Sequence, residues 1–281
     1  LDPTLEIPRY LTAVDIHCQP GGYTADHRAD DVAAGAIYDR AIHIYNSGAS
    51  GMTDMAGRTI TGYLDAVFPD LKPVRILDMG CTIGHSTAAY VKRWPDADVH
   101  AIDVGPALLR YGHARAEALG LKIHFSQQSA EHTKFEDGSF DLIVSNILAH
   151  ETSTKSWPTI IKECHRLLKT GGVMIHADLP QLDEIDPYRQ FIYTNETHYN
   201  NEPFWTKYRT LDLKKIATEA GFLPENVIRD FSQVKAGKDQ AKIDEAIETS
   251  RAVGHGAPAG SPLGMAFIVG IQGIGAEYEQ R

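Results

Sequence analysis

The sequence predicts an α/β protein built around a mostly parallel β-sheet. Between residues 74 and 179, short apolar runs rich in Val and Ile alternate with segments that have helical spacing. The connections between these segments are short, as in right-handed β-α-β units. A chain of 281 residues with 43% hydrophobic residues can also bury the core of one enlarged domain.

The alternating region predicts its strands and helices in order. The expected strands are 74–79, 98–104, 122–127, 140–147 and 173–179, and the expected helices are 85–94, 106–120 and 156–172. The first helix ends before Pro95 because the residue before a proline disfavours the helical conformation. Gly120 closes the second helix, and a pair of glycines closes the third.

The flanking regions predict less regular structure. Residues 1–30 are rich in Pro, Gly and Asp and are expected to be irregular. Helical spacing follows at 31–46 and 52–68, and beyond the alternating region at 211–222 and 239–254. Strands are expected at 226–234 and 264–272, which brings the predicted strands to seven. We therefore divide the chain into an N-terminal arm and lid (1–70), a core (71–180 and 209–281) and an insertion (181–208).

Charge and cysteine content exclude several classes of protein. A net charge of −10 argues against sequence-independent nucleic-acid binding, which depends on Lys and Arg. The three cysteines form no C-x-x-C pair, so neither a zinc knuckle nor a disulfide framework is predicted. No apolar run long enough to span a membrane is present, so we expect a cytoplasmic protein with no membrane or nucleic-acid partner. The long ends at 1–30 and 235–263 leave a homodimer open.

The loop after the first predicted strand carries the strongest motif, in the stretch VRILDMGCTIGHS. In open parallel sheets, ligands bind at the carboxyl ends of the strands, so this loop is the expected site. A dinucleotide fingerprint that begins at Gly80 would require glycines where Thr82 and His85 stand. A phosphate-binding P-loop that begins at Gly80 is excluded because it requires a glycine where His85 stands. The remaining pattern is D-x-G-C-x-x-G, from Asp78 to Gly84.

This pattern resembles the first motif of the class I S-adenosylmethionine-dependent methyltransferases. The similarity continues in order with Asp103 at the end of the second strand, with residues 129–146, and with LLKTGG at 167–172. The family has a Rossmann-like, doubly wound sheet of seven strands, mostly parallel with one antiparallel strand near the C-terminus. The resemblance implies that fold here, with an N-terminal helical cap and an insertion after the fifth strand.

The resemblance also implies that S-adenosylmethionine is the cofactor. Asp103 would bind the ribose hydroxyls, Asp78 the ammonium of the amino-acid tail, and Ala130 the adenine through its backbone N–H. The implied cofactor-binding residues are Asp78, Gly80, Cys81, Gly84, Asp103, Val104, Ser129, Ala130 and Asn146. Glycines at 80 and 84 let the main chain approach the ligand closely. Cys81 is expected to pack rather than act as a nucleophile, because no base partner is evident.

The acceptor side is expected after the fourth strand and in the insertion. His150 is a candidate general base and Glu151 a candidate ligand for a charged acceptor, with a polar loop or helix cap as the alternative. HETST lacks the second histidine of the zinc motif H-E-x-x-H, so no metal site is predicted. The insertion holds seven aromatic residues in 28 positions. The candidate substrate-binding residues here and in the lid are Tyr38, Tyr45, Tyr188, Tyr193 and Trp205.

The sequence therefore predicts an enzyme that transfers a methyl group to a small-molecule acceptor by in-line displacement. Three alternatives stay open. They are a protein or RNA methyltransferase, an NAD(P)-dependent oxidoreductase, and a non-catalytic cofactor binder. The receiving atom, whether O, N, C or S, does not follow from the residues.

Overall fold

A computed structural model describes residues 1–45, 53–232 and 265–273. Its strands are β1 (Arg75–Met79), β2 (Asp98–Asp103), β3 (His124–Gln127), β4 (Phe140–Asn146), β5 (Leu168–Asp178), β6 (Val227–Ser232) and β7 (Met265–Ile271). Its helices are α1 (Arg9–Thr12), α2 (Ala33–Tyr45), α3 (Met55–Val67), α4 (Thr87–Arg93), α5 (Pro106–Ala118), α6 (Trp157–Leu167), α7 (Pro187–Thr194), α8 (Glu196–Tyr199), α9 (Trp205–Tyr208) and α10 (Leu213–Glu219). The predicted helix at 239–254 lies outside the described residues.

The seven strands form one sheet in the order β3-β2-β1-β4-β5-β7-β6. Neighbours from β3 to β5 run parallel, and β7 runs antiparallel to both β5 and β6. The predicted fold class is therefore confirmed, including the single antiparallel strand. The strand order reverses between β1 and β4, so the carboxyl ends of these strands flank the switch point where α/β sheets bind ligands.

Apolar side chains cover both faces of the sheet, which explains the continuous apolar runs of the inner strands. In β4, Leu142, Ile143 and Val144 are fully buried. Leu142 and Val144 join one buried cluster, and Ile143 joins another that also contains residues of α6 and α10. The buried strands thus form the rigid base from which the loops at their ends extend.

Helix α3 belongs to the packed core. Ile60, Tyr63 and Leu64 lie in the same buried cluster as Ile76 of β1. The Tyr63 hydroxyl also donates to Asp230 in β6 at 3.1 Å. Helix α3, which the sequence analysis includes in the arm and lid at 1–70, therefore packs against the sheet.

The third helix of the alternating region ends earlier than predicted. Helix α6 stops at Leu167, and Leu168 already pairs with Phe140 as the first residue of β5. The pairing register then shifts between Phe140 and Leu142, and Gly171 takes a φ of +82°. The glycine pair thus forms an irregularity inside a long strand rather than a helix stop. Among the described helices, none is long and apolar enough to cross a membrane.

Candidate functional site

The loop after β1 adopts backbone conformations that favour glycine. Gly80 and Gly84 have φ values of +70° and +79°, and Thr82 between them has a φ of +49°. A Cβ atom at Gly80 would lie 2.7 Å from Cδ1 of Leu148, closer than carbon atoms pack. The N–H groups of Gly80 and Cys81 both donate to the carbonyl of Ile102 in β2. The loop is therefore held tightly against the ends of β2 and β4.

Asp103, at the end of β2, is tied to this loop. One carboxylate oxygen accepts the Thr82 N–H and the other accepts the Gly105 N–H, each at 2.9 Å. The side chain is largely buried, and burial raises the pKa of its carboxyl. Each oxygen of a carboxylate has a second lone pair, so Asp103 can still accept hydrogen bonds from two hydroxyl groups. This capacity fits a ribose diol.

Asp78 lies beneath the loop. It is 1% exposed, and one of its oxygens accepts the Thr87 hydroxyl at 2.5 Å. Burial, reinforced by the nearby charge of Asp103 and opposed by the Thr87 hydrogen bond, raises the pKa of Asp78 to about 7. The buried carboxyl links the end of β1 to the start of α4 and so supports the shape of the loop.

The other cofactor candidates differ in what their side chains do. Cys81 packs against Ala101 and Leu109, and burial raises the pKa of its thiol well above the usual value. The Val104 carbonyl accepts from the Gln127 amide at 3.0 Å. Ser129 accepts the backbone N–H of Glu131 at 3.2 Å, and Ala130 packs against the core. These residues therefore offer a ligand mainly backbone groups, and Cys81 is a packing side chain.

The end of β4 carries an unpaired polar atom and a strained residue. Oδ1 of Asn146 is buried and has no hydrogen-bond partner among the described residues. The next residue, Ile147, has a φ of +57°, which is rare for a β-branched side chain. Unpaired buried acceptors and strained backbone both occur at ligand sites. Their position at the switch point fits a bound group that donates to Asn146.

A second set of residues, which we call the buried polar cluster, lies at the ends of β4 and β5. It consists of His17, His150, Glu151, Asp178 and Glu202. Four of these side chains are at most 9% exposed, and only His17, at 28%, reaches the surface. The cluster therefore gathers three carboxylates and two imidazoles from four segments of the chain.

His150 is held by Asp178. Nδ1 of His150 lies 2.6 Å from Oδ1 of Asp178, and the backbone N–H groups of Ala149 and His150 donate to Oδ2. A carboxylate only accepts, so Nδ1 carries a proton and Nε2 faces Glu151 and Glu202. Burial alone lowers the pKa of His150, but the charge and hydrogen bond of Asp178, with the two glutamates, raise it to about 9. This pKa favours the protonated imidazole at neutral pH, whereas a general base needs the neutral form.

The N-terminal arm closes the cluster from above. Nε2 of His17 lies 2.9 Å from Oε1 of Glu151, and the Tyr23 hydroxyl donates to the same oxygen at 3.0 Å. His17 and Cys18 both have positive φ values, 57° and 55°. Such a turn costs on the order of 1–3 kcal/mol per residue and persists only where its surroundings enforce it. The strained turn directs His17 onto the glutamates.

Glu202 enters the cluster from the insertion. It is 2% exposed, and its Oε1 accepts from the Asn200 amide at 2.5 Å. Its Oε2 is buried without a hydrogen-bond partner among the described residues and lies 3.6 Å from Nε2 of His150. Burial and the charge of Glu151 outweigh the two histidines and raise the pKa of Glu202 to about 7.

The candidate substrate-binding aromatics are not all brought together. Trp205 packs edge-on against His150 with ring centroids 4.8 Å apart. Tyr38 contacts the loop through Thr82, and burial raises the pKa of its hydroxyl to about 12. The ring of Tyr193 lies 4.8 Å from the guanidinium carbon of the buried Arg209. Tyr188 is 72% exposed and does not wall a closed site. The side chain of Tyr45 lies outside the described residues.

Comparison with known proteins finds similarity to methyltransferases. A family model described as a methyltransferase domain matches residues 76–172. A malonyl-[acyl-carrier protein] O-methyltransferase from Laribacter hongkongensis is 26% identical over 255 residues, which are 87% of this chain and 81% of that protein. A demethylmenaquinone methyltransferase from Thermus thermophilus is 30% identical over 108 residues, 38% of this chain. The chain spans 48% of the length of the Thermus protein.

Solved structures share the fold at low sequence identity. An O-methyltransferase family protein from Burkholderia thailandensis superimposes with a TM-score of 0.56 and 16% identity over 88% of this chain and 64% of that chain. A phosphoethanolamine N-methyltransferase from Haemonchus contortus, in complex with S-adenosyl-L-methionine, gives a TM-score of 0.53 and 15% identity, covering 77% of this chain and 52% of that chain. At this identity the likeness concerns the fold alone.

Proposed function

We propose that the protein is a class I methyltransferase that uses S-adenosylmethionine to transfer a methyl group to a small-molecule acceptor, because residues 76–172 match the model of a methyltransferase domain. The observation that carries the proposal is the coupling of Asp103 to the loop between Gly80 and Gly84. A buried carboxylate with free lone pairs stands beside a loop whose backbone conformation favours glycine.

Each cofactor-binding candidate has a role in the proposal. Asp103 accepts the ribose hydroxyls, and the backbone of Gly80, Cys81 and Gly84 surrounds the amino-acid tail. The buried Oδ1 of Asn146 accepts a hydrogen bond from the same tail. Asp78 keeps the loop in place through Thr87. Val104, Ser129 and Ala130 border the adenine.

The buried polar cluster forms the acceptor side in this proposal. It lies at the ends of β4 and β5, next to Asn146, and the arm closes it with His17 and Tyr23. When bound, the cofactor supplies an electrophilic methyl group on a sulfonium. The chain's own contribution is to align the acceptor with that methyl group and to exclude water. The residues proposed to contact the acceptor, or a group that activates the acceptor, are His150, Glu151, Tyr38 and Trp205.

Two observations favour a small acceptor over a protein or RNA. The cluster is almost fully buried beneath the arm, which leaves little room for a folded macromolecule. The net charge of −10 opposes binding to nucleic acid. The two relatives named above carry names with different acceptors, so the receiving atom is left open.

Calorimetric titration with S-adenosylhomocysteine tests the cofactor half of the proposal. We expect binding in the micromolar range, and at least a tenfold loss in Asp103→Ala, because a neutral side chain cannot accept both hydroxyls. Asp70→Ala, which removes an exposed carboxylate before β1, is the matched control and should bind normally. Binding of NADH but not of S-adenosylhomocysteine would return the chain to the dinucleotide enzymes.

Measurement of turnover tests the part of the proposal that concerns the methyl acceptor. Small phenols, carboxylates and amines are incubated with S-adenosylmethionine, and formation of S-adenosylhomocysteine is followed. Product that depends on one acceptor class supports the proposal. Methylation of a protein or RNA fraction, with no small acceptor active, would overturn the small-molecule assignment and leave the cofactor site intact.

A further inference from the structure

We propose that His150, Glu151 and Glu202 form a binding site for one divalent metal ion, with Zn²⁺ as the first candidate. Nε2 of His150 lies 3.7 Å from Oε1 of Glu151 and 3.6 Å from Oε2 of Glu202. One ligand atom from each of the three residues lies within 4.8 Å of the others. Two ligands of a tetrahedral zinc ion, each about 2.1 Å from the metal, are about 3.4 Å apart. The observed separations from Nε2 are close to that value.

The types of residue suit the ion. Zinc binds histidine nitrogen and glutamate oxygen, and sites with three protein ligands keep a coordination position for water or substrate. Among divalent first-row metals, this set of ligands favours zinc over manganese by affinity. The site would therefore hold an ion with at least one open position. This inference replaces the sequence-based expectation that the protein holds no metal.

The surrounding contacts orient the ligands as they do around metals. A metal-binding histidine usually donates its other ring N–H to a carboxylate, and Nδ1 of His150 is 2.6 Å from Asp178. Oε1 of Glu151 contacts His17 and Tyr23 from the arm, so an ion bound to this oxygen would displace one of the two contacts. Oε1 of Glu202 accepts from Asn200, which leaves Oε2 to face the centre. Each proposed ligand is thus fixed by a second residue.

An independent observation points to a missing cation. Oε2 of Glu202 belongs to a side chain that is 2% exposed, yet it has no hydrogen-bond partner among the described residues. A buried carboxylate oxygen without a donor is costly, on the order of several kcal/mol. This oxygen points towards Nε2 of His150 at 3.6 Å, too far for a hydrogen bond. A metal ion between the two atoms would bind both, in place of the proton that Nε2 of His150 carries when no ion is present.

The metal site adds detail to the proposed function, and the role given to the metal in methyl transfer rests on that function. A metal ion in the acceptor site would bind an oxygen atom of the acceptor molecule and lower the pKa of the group that carries this oxygen. The acceptor class is therefore a small molecule with a hydroxyl, phenol or carboxylate oxygen that coordinates the ion. The oxygen lone pair would form the new bond to the methyl carbon, the carbon–sulfur bond would break towards sulfur, and the acceptor proton would leave to solvent.

The test measures metal binding without turnover. The tag-free chain is stripped with a chelator and titrated with Zn²⁺, and the visible absorption of Co²⁺ in the same site is recorded. We expect one strong site and at least a tenfold weaker affinity in Glu202→Gln, which keeps the shape of the side chain and removes its charge. Glu225→Gln changes an exposed carboxylate and is the matched control.

Each outcome of the metal titration supports or overturns the proposed metal site. Strong binding that is lost in Glu202→Gln and kept in Glu225→Gln supports the site. The chain has 13 histidines, so binding that is equal in both variants is surface binding and overturns the proposal. Absence of strong binding to the folded chain overturns it as well. Titration with S-adenosylhomocysteine on the same sample separates the two proposals, because cofactor binding without metal binding leaves the methyltransferase proposal standing.

Discussion

The imidazole of His150 and the carboxylate of Asp178 are joined at 2.6 Å in the interior, where both side chains are at most 2% exposed. His150 follows β4 and Asp178 ends β5, so this contact ties two neighbouring strand ends together. Asp178 also accepts three backbone N–H groups, from Ala149, His150 and Leu179. It therefore fixes both the tautomer of the imidazole and the loop that carries it.

Replacing Asp178 with Asn should weaken the proposed metal site through His150. An amide can donate to Nδ1, which would favour the wrong tautomer and remove a negative charge behind the ligand. We expect a 10- to 100-fold loss of Zn²⁺ affinity, with affinity for S-adenosylhomocysteine within about twofold of wild type. Calorimetry with both ligands measures this. Asp183→Asn, at an exposed position in the insertion, is the control. Equal loss for both ligands would mean that the loop had collapsed, and would contradict a role through His150.

Replacing Gly80 with Ala should impair cofactor binding as well as stability. The φ of +70° costs an alanine about 1–2 kcal/mol, and its Cβ would approach Leu148 at 2.7 Å. Gly138→Ala provides the comparison, because Gly138 has a φ of +58° but no heavy atom closer than 4.0 Å to the added Cβ. Both variants should lose stability in urea unfolding, and only Gly80→Ala should lose tenfold or more in S-adenosylhomocysteine affinity. If both retain that affinity, the loop does not bind the cofactor.

The fold could be predicted from sequence because its determinants are local. Apolar runs such as Leu142–Val144 form strands buried on both faces, and they are separated by helices of ordinary length. The exception is the segment at 167–172, where the helical pattern runs on but Leu168 joins β5 instead. Strand pairing with Phe140 overrides the local pattern there, and a single sequence does not reveal that partner.

The candidate site could be predicted only in part. The glycines at 80 and 84 and the acid at 103 follow one another closely in sequence, so their spacing is itself a signal. The buried polar cluster joins residues far apart in the chain: His17 meets Glu151 across 134 positions. Glu202 lies in an insertion whose sequence pattern is dominated by aromatic residues and does not distinguish a buried acid from an exposed one. Such convergence depends on tertiary packing and leaves no periodic pattern.

Buried His176 should make the protein less stable as the pH falls below neutrality. Its Nδ1 lies 2.6 Å from the Ser145 hydroxyl, it is 1% exposed, and burial lowers its pKa from 6.5 to about 3. The unfolded chain therefore takes up a proton below pH 6.5 that the folded chain does not. The contribution of His176 to stability is complete above pH 6.5 and declines by about 1.4 kcal/mol per pH unit below it.

His176→Gln removes this proton uptake. We expect the difference in unfolding free energy between wild type and variant to shrink between pH 7 and pH 5, measured by urea unfolding at each pH. His113→Gln, on the exposed side of α5, should run parallel to wild type. If His176→Gln also runs parallel, the imidazole is protonated inside the folded protein and its environment differs from the one described.

Replacing Gly35 with Ala should loosen the lid helix from the domain. Gly35 lies where α2 crosses α5, and an added Cβ would lie 2.3 Å from Cβ of Tyr111. The same helix contacts the loop between Gly80 and Gly84 and the residue after it, because Tyr38 contacts Thr82 and Asp39 pairs with His85 at 2.7 Å. Asp39 also accepts from the Tyr111 hydroxyl of α5. The shift that relieves the clash must therefore disturb the loop between Gly80 and Gly84.

The overpacking caused by Gly35→Ala costs about 1–3 kcal/mol, and the better helix propensity of alanine offsets about 1 kcal/mol of it. We expect a small loss of overall stability and a several-fold faster dissociation of S-adenosylhomocysteine from immobilised protein. Ala36→Ser adds one atom at the next, exposed position of α2 and should leave the dissociation rate unchanged. Unchanged dissociation in Gly35→Ala would show that the packing of α2 on α5 does not affect cofactor binding.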